Sequence, residues 1–293
     1  MSTTRPASPT DPGVYAPADV RLVVADMDGT LLDDRKRFPG GLWRLLDQLD
    51  VRGVTFAPAS GRQVWTLLDM FPDRPGMTVI GENGAIVMRD GAEISSSPLD
   101  PAALREAVRL VRGATGPGGA NGGLVMCGKR SAYVERADEP FVSGVLPYYH
   151  RTRQVDSHQL DVLDAIEAGE LDDAIVKLAV YSLDPVGPLA EATLARFRST
   201  HQYAVSGANW ADLQIRGVDK GRAVRALQSA LGVSRAQTAV FGDFHNDLSM
   251  LAEADLSFAM ANADPDVVRA ARFVAPSNNE GGVVSVVERL LSL

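Results

Sequence analysis

Short aliphatic and β-branched runs alternate along the chain with stretches whose apolar residues recur every three or four positions. The first run, Val20-Arg21-Leu22-Val23-Val24-Ala25, ends in Asp26-Met27-Asp28-Gly29-Thr30. It is too short and too β-branched for a helix and suits a buried parallel strand. Helical spacing follows over Leu42 to Leu49, then a strand over Gly53 to Ala59, a helix opened by Ser60-Gly61-Arg62 and running to Met70, and a third strand, Met77 to Ile80, that leads into Gly81-Glu82-Asn83-Gly84-Ala85. The last third repeats the rhythm. It predicts helices over Gly221 to Leu231, Asp247 to Ala254, Asp266 to Ala271 and Gly282 to Leu291, with strands over Thr238 to Phe241, Leu256 to Met260 and Phe273 to Ala275. Such alternation predicts an α/β fold, a Rossmann-like parallel sheet with helices on both faces.

Between the two thirds the pattern changes. Ala85 to Met88 and Glu93 to Ser95 flank Asp90-Gly91, a hairpin signal, and amphipathic helices follow. The chain therefore divides, as an expectation, into a disordered tail over 1–19, a core domain over 20–84 and 207–293, and an inserted α+β domain over 85–206.

The length of 293 residues accommodates this division, being about twice a soft one-domain prior of ~150. With 45% apolar and 23% charged residues the composition is that of a globular protein. The formal charge of −8 argues against nucleic acid or anionic lipid as partners, because both are held by clustered cations. Cys127 is the chain's one cysteine, which excludes an internal disulfide and a cysteine metal site, and its apolar surroundings predict a buried thiol. No stretch approaches the ~18 consecutive apolar residues of a membrane span, and no apolar leader opens the chain, so a cytoplasmic location is expected. Oligomeric state is not legible.

The polar residues that remain collect at strand ends. Asp26 and Asp28 stand two apart, so both carboxylates can face one side while Met27 points away. Together with Asp243 they form an oxygen-only set that favours a hard cation, Mg²⁺ first; a turn capped through Gly29-Thr30 is the structural alternative. Lys220 and Ser60 suit a dianion beside that ion. Read structurally, Ser60 caps a helix ahead of Gln63 and Lys220 is a solvated lysine.

The stretches Asp26-Met27-Asp28-Gly29-Thr30-Leu31-Leu32, Ala59-Ser60-Gly61-Arg62, Asp219-Lys220-Gly221 and Gly242-Asp243-Phe244-His245-Asn246-Asp247 resemble, in order, the four motifs of the haloacid dehalogenase-like hydrolase superfamily. The insertion after Asn83-Gly84-Ala85 and the trailing Ala259 to Ala263 and Asn278 to Val283 are similar to its Cof-type sugar-phosphatase branch with a type IIB cap. The resemblance covers everything but the tail. It implies Mg²⁺-dependent hydrolysis of a small phosphorylated metabolite, a sugar phosphate foremost, through an aspartyl-phosphate. Asp26 would be the nucleophile and Asp28 the general acid and base. The ion would be held by Asp26, the Asp28 carbonyl and Asp243, with Asp247 directly bound or one layer out. Ser60, Lys220 and Asn246 would meet the phosphoryl group, and Gly29, Thr30 and Arg62 would support the site from behind. A phosphomutase of the same fold and a non-catalytic phosphometabolite-binding protein are the alternatives. Phe244, His245 and Ala261 depart from the commonest pattern without removing a reacting group; His245 is expected to face solvent. Lys177 is expected at a sheet edge or interface of the inserted domain. Arg130, Tyr133, Tyr148, Tyr149 and His150 are candidates for substrate selection, although surface placement explains them as well.

Overall fold

Leu22–Asp26 forms β1 with all five residues buried, as its aliphatic run requires, in a computed structural model that describes residues 19–115, 117–155 and 158–293. The tail expected over 1–19 falls, apart from Asp19, outside them. The other strands in chain order are β2 (Thr55–Ala59), β3 (Val79–Gly81), β4 (Ile86–Arg89), β5 (Ala92–Ser96), β6 (Gly122–Gly128), β7 (Ala132–Val134), β8 (Thr152–Gln154), β9 (Ile175–Ser182), β10 (His201–Val205), β11 (Trp210–Ile215), β12 (Thr238–Gly242), β13 (Leu256–Met260) and β14 (Phe273–Ala275).

They form two sheets. One has eight strands in the order β14-β13-β12-β1-β2-β3-β4-β5. Its members from β14 through β3 pair in parallel, and β4 turns back antiparallel on β3. The other has six strands in the order β10-β11-β9-β6-β7-β8, antiparallel except between β7 and β8. Helix Leu42–Val51 shows how the amphipathic segments dock: Leu42, Leu45, Leu46 and Leu49, at spacings of three and four, are its buried face.

Two compact units result. The first comprises the described residues up to Gly61, Phe71–Ser95 and Asp219–Leu293; the second comprises Arg62–Met70 and Ser96–Val218. These bounds differ from the expected ones at 84/85 and 206/207. The Asp90-Gly91 hairpin forms as its sequence indicates, but β4 pairs with β3, so it extends the first unit's sheet. At the other crossing β10 and β11 pair with each other and β11 with β9, which keeps the chain in the second unit until Val218. Helix Val64–Asp69 also clusters with the second unit. Gln63 exchanges hydrogen bonds with the Arg151 backbone (3.0 and 3.1 Å), Thr66 Oγ1 donates to the Tyr148 carbonyl (3.0 Å), and the Arg151 guanidinium lies 3.5 Å over the Trp65 ring. That helix starts at Val64 with Gln63 as its N-cap residue, so Ser60 does not cap it.

Candidate active site

The first unit's parallel strands converge on one edge. β1 lies between β2 and β12, with Ala25 level with Phe241. Asp26 ends β1 and Asp243 follows the last residue of β12, so adjacent strands bring together residues more than two hundred positions apart, at the kind of edge where α/β sheets bind ligands.

Helix Lys220–Leu231 delivers the cation. Asp219 caps it by accepting from Arg222 N (2.7 Å), and Gly232, at φ 66°, ends it. Lysine at the first position of a helix opposes the helix dipole. Here it is fully buried, and its Nζ donates to Asp26 Oδ1 and, at 2.7 Å, to Asp247 Oδ1. Burial works against the ammonium, but the Asp247 and Asp26 carboxylates outweigh it and hold the Lys220 pKa above the usual lysine value. The reading of Lys220 as a solvated lysine is excluded.

Asp247 has both oxygens engaged, Oδ1 by Lys220 and Oδ2 by the backbone N–H groups of Asp243 (2.9 Å) and Phe244 (3.1 Å). Asp243 Oδ1 accepts from Thr30 Oγ1 at 2.9 Å. Gly29 closes this side: its φ is 82°, and a Cβ there would stand 2.3 Å from Asp243 Oδ2, so only glycine fits. Asn262 Nδ2 holds the Gly29 carbonyl at 2.8 Å.

Burial, then the Asp247 carboxylate, push the Asp243 carboxyl up to about 6 against the pull of Thr30 and Lys220. Burial also drives the Asp26 carboxyl upward, with Asp247 and Asp243 adding to it and Lys220 opposing. Three carboxylates thus share one ammonium. One oxygen from each of Asp26, Asp243 and Asp247 lies within 4.8 Å of the others, an all-oxygen donor set that suits a hard divalent ion.

Asp28 sits at the rim with its side chain 36% exposed, and its Oδ1 accepts from Lys36 Nζ at 2.7 Å. The loop that presents Lys36, itself at φ 60°, is built by Asp33, whose Oδ1 accepts from Arg35 N and Arg37 N, both at 2.9 Å. Ser60 is buried at the end of β2; its N–H donates to the Ile80 carbonyl, and its carbonyl accepts from Asn83 N, each at 2.9 Å. Asn246 Nδ2 donates to Asn83 Oδ1 at 3.3 Å.

The structure therefore gathers Asp26, Lys220, Asp243, Asp247, Thr30 and Gly29 into one cluster. Arg62 belongs to the second unit, its guanidinium 5.8 Å from the Tyr148 ring centre. Lys36, Asn83 and Asn262 were not expected. Lys36 carries no local signal, whereas Asn83 and Asn262 stand within stretches that resemble the family.

In the second unit Lys177 is buried in the central strand β9, 3.8 Å from Asp212 and over the Tyr149 ring, so it is not a sheet-edge residue. Tyr133 is buried with its hydroxyl donating to Asp173 (2.7 Å), and Tyr149 is buried too, which leaves Tyr148 as the exposed tyrosine of the three. Arg130 pairs with Asp172, and His150 Nδ1 lies 2.9 Å from Asp69. Cys127 is buried as expected, and His245 is about half exposed beside Asp264.

Residues 23–287 match the family model of haloacid dehalogenase-like hydrolases, and the chain belongs to that family. It is 32% identical over 276 residues to the 5-amino-6-(5-phospho-D-ribitylamino)uracil phosphatase YbjI of Escherichia coli, covering 93% of this chain and 96% of that protein. It is 27% identical over 278 residues to a phosphoglycolate phosphatase of Methanopyrus kandleri, covering 92% and 97%. Among solved structures, TM0651 from Thermotoga maritima superposes with a TM-score of 0.77 at 26% identity, over 92% of this chain and 97% of that one. Within the family the protein is a phosphatase of the Cof type. Phosphatases of this superfamily generally use a divalent metal. No helix among the described residues is long and apolar enough to cross a membrane.

Proposed function

We propose that the protein is a magnesium-dependent phosphatase that hydrolyses small phosphorylated metabolites, sugar and polyol phosphates foremost, with Asp26 as nucleophile. The observation that carries the reading is the buried Lys220 ammonium, bridging Asp26 and Asp247 beside Asp243. A carboxylate and a phosphate dianion repel, so a nucleophilic aspartate needs fixed positive charge at its own oxygen and around the transferring group. Lys220 supplies the first part.

Asp26 and Asp243, with the Asp28 backbone carbonyl, are the groups assigned to the ion. Bound there, Mg²⁺ supplies the charge that lets the anion approach and that stabilises the transition state. Asp247, with both oxygens engaged by Lys220 and two backbone amides, supports the lysine and the loop. Ser60 and Asn246 are assigned to the phosphoryl oxygens.

In the first step an Asp26 oxygen bonds to phosphorus, the bond to the leaving oxygen breaks, and Asp28 delivers its proton to that oxygen. Asp28 is then a carboxylate, stabilised by Lys36 at 2.7 Å. In the second step a water attacks phosphorus, Asp28 takes its proton, and Asp26 is released with phosphate. A cytoplasmic setting and a substrate without nucleic acid belong to the same reading.

The test is hydrolysis of p-nitrophenyl phosphate with and without EDTA, alongside Asp26→Asn, followed by a phosphometabolite panel that includes 5-amino-6-(5-phospho-D-ribitylamino)uracil, the compound named for the 32% identical relative. Turnover that is lost with EDTA, restored by Mg²⁺ and absent in Asp26→Asn is expected. Full activity in the variant, or after complete metal removal, contradicts the reading.

A further inference from the structure

We propose that Asn83 is a positioning residue of the catalytic apparatus, acting through the side chain of Asn246, and that the turn carrying it holds three catalytic segments in mutual register. The inference rests on the proposed reading of Asn246 as a contact to the phosphoryl group.

The turn Glu82–Gly84 follows β3 directly and has an unusual backbone. Glu82, Asn83 and Gly84 are all left-handed, at φ 51°, 53° and 96°. Asparagine tolerates this region better than most residues and glutamate does not, so two successive non-glycine residues there are retained only because surrounding interactions over-determine the conformation.

Three contacts do so, and each reaches a different catalytic segment. The first runs to Ser60: its N–H donates to the Ile80 carbonyl and its carbonyl accepts from Asn83 N, each at 2.9 Å, so the peptide units flanking Ser60 are fixed by β3 and the turn. The second runs to Lys220: a Cβ on Gly84 would stand 2.2 Å from the Asp219 carbonyl oxygen and 3.0 Å from Lys220 N, so the turn packs against the peptide that starts the lysine helix. The third is the Asn83 side chain. Its Oδ1 accepts from Asn246 Nδ2 at 3.3 Å, and its amide lies against Gly61, where a Cβ would come within 3.1 Å of Asn83 Nδ2.

Asn246 is exposed, and an exposed amide with nothing to orient it samples several rotamers. Accepting one Nδ2 proton, Asn83 selects a rotamer and leaves the second proton of that nitrogen to donate elsewhere, to a phosphoryl oxygen in the proposed mechanism. Asn83 itself touches no reacting atom in this assignment.

A mutant cycle in the full-length, Mg²⁺-supplied protein tests this. Asn83→Gly keeps the left-handed backbone and removes the acceptor; Asn83→Asp keeps both an acceptor oxygen and tolerance of that backbone. The readout is the factor by which Asn246→Ala lowers kcat/KM for p-nitrophenyl phosphate in each background. About a tenfold loss is expected in the wild type and in Asn83→Asp, and no further loss in Asn83→Gly, because Asn246 is no longer held there. If Asn246→Ala costs as much in Asn83→Gly as in the wild type, the proposal is overturned. Should Asn83→Gly fail to fold, the absence of any loss from Asn246→Ala in the Asn83→Asp background overturns it equally. Asp26→Asn run in parallel separates the two claims: an active Asp26→Asn defeats the phosphatase mechanism, whereas an inactive one with no Asn83–Asn246 coupling defeats only this inference.

Discussion

Lys220 Nζ and Asp247 Oδ1 meet at 2.7 Å with neither side chain exposed to solvent, and the same ammonium donates to Asp26. A buried lysine between two carboxylates cannot be removed without leaving charge uncompensated, which in proteins costs about 3–5 kcal/mol. Lys220→Met is expected to lower stability by that amount in urea denaturation and to cut kcat about a hundredfold to a thousandfold. A variant with wild-type stability would mean that the carboxylates are compensated in some other way.

The carboxyl shifts set the response to pH. Asp243, at about 6 in the folded protein against an ordinary 3.8, binds its proton more tightly folded than unfolded. Its contribution to stability is therefore complete below the ordinary value and is lost as pH rises through about 6; Asp26 is displaced in the same direction. EDTA-treated protein should lose stability from about pH 4 up to about pH 6, and Mg²⁺, which takes the place of the proton, should raise Tm more at the higher pH. A larger Mg²⁺ effect at the lower pH would contradict this.

Thr30 is buried and donates to Asp243 Oδ1 at 2.9 Å. Thr30→Val keeps the shape and removes the hydroxyl. Support of this kind typically governs about 10–100-fold in metal affinity, so the Mg²⁺ concentration needed for half-maximal activity should rise by that factor while the loss of stability stays near 1–2 kcal/mol. An unchanged requirement for Mg²⁺ would remove Thr30 from the site.

Asp28 as general acid matters most when the leaving group is poor. Asp28→Asn should lower kcat for an aliphatic sugar phosphate far more than for p-nitrophenyl phosphate, whose leaving group departs without a proton. Lys36→Ala should leave Tm nearly unchanged, because exposed ion pairs contribute about 0–1 kcal/mol. Equal losses on both substrates would argue against proton delivery by Asp28.

Much of this arrangement is legible in the chain. The aliphatic runs at 20–25 and 238–241 mark β1 and β12 because strands buried on both faces leave no room for polar alternation. The aspartates that end them are legible for the same reason, being the first polar residues after a buried run. The hairpin at Asp90-Gly91 was legible as a hairpin but not as part of the first unit's sheet, since local turn chemistry says nothing about which edge a hairpin joins. Helix Val64–Asp69 looked like core because it follows a core strand; Gln63, Trp65 and Thr66 tie it to the second unit through contacts some eighty residues away. Lys177 stands within the apolar run Ala174 to Val180, but its partner Asp212 is remote in sequence, so its place in a central strand is not legible. Lys36 and Asn83 were hidden likewise, both working through left-handed backbone that composition does not announce.

The most direct measurement of the proposed chemistry is peptide mapping of protein quenched in acid during turnover. A hydroxylamine-labile phosphoryl group on the peptide containing Asp26, absent in Asp26→Asn, is the expected result. Turnover with no such adduct under conditions where hydrolysis of the intermediate limits the rate, or a phosphoryl group on a different residue, would contradict Asp26 as the nucleophile.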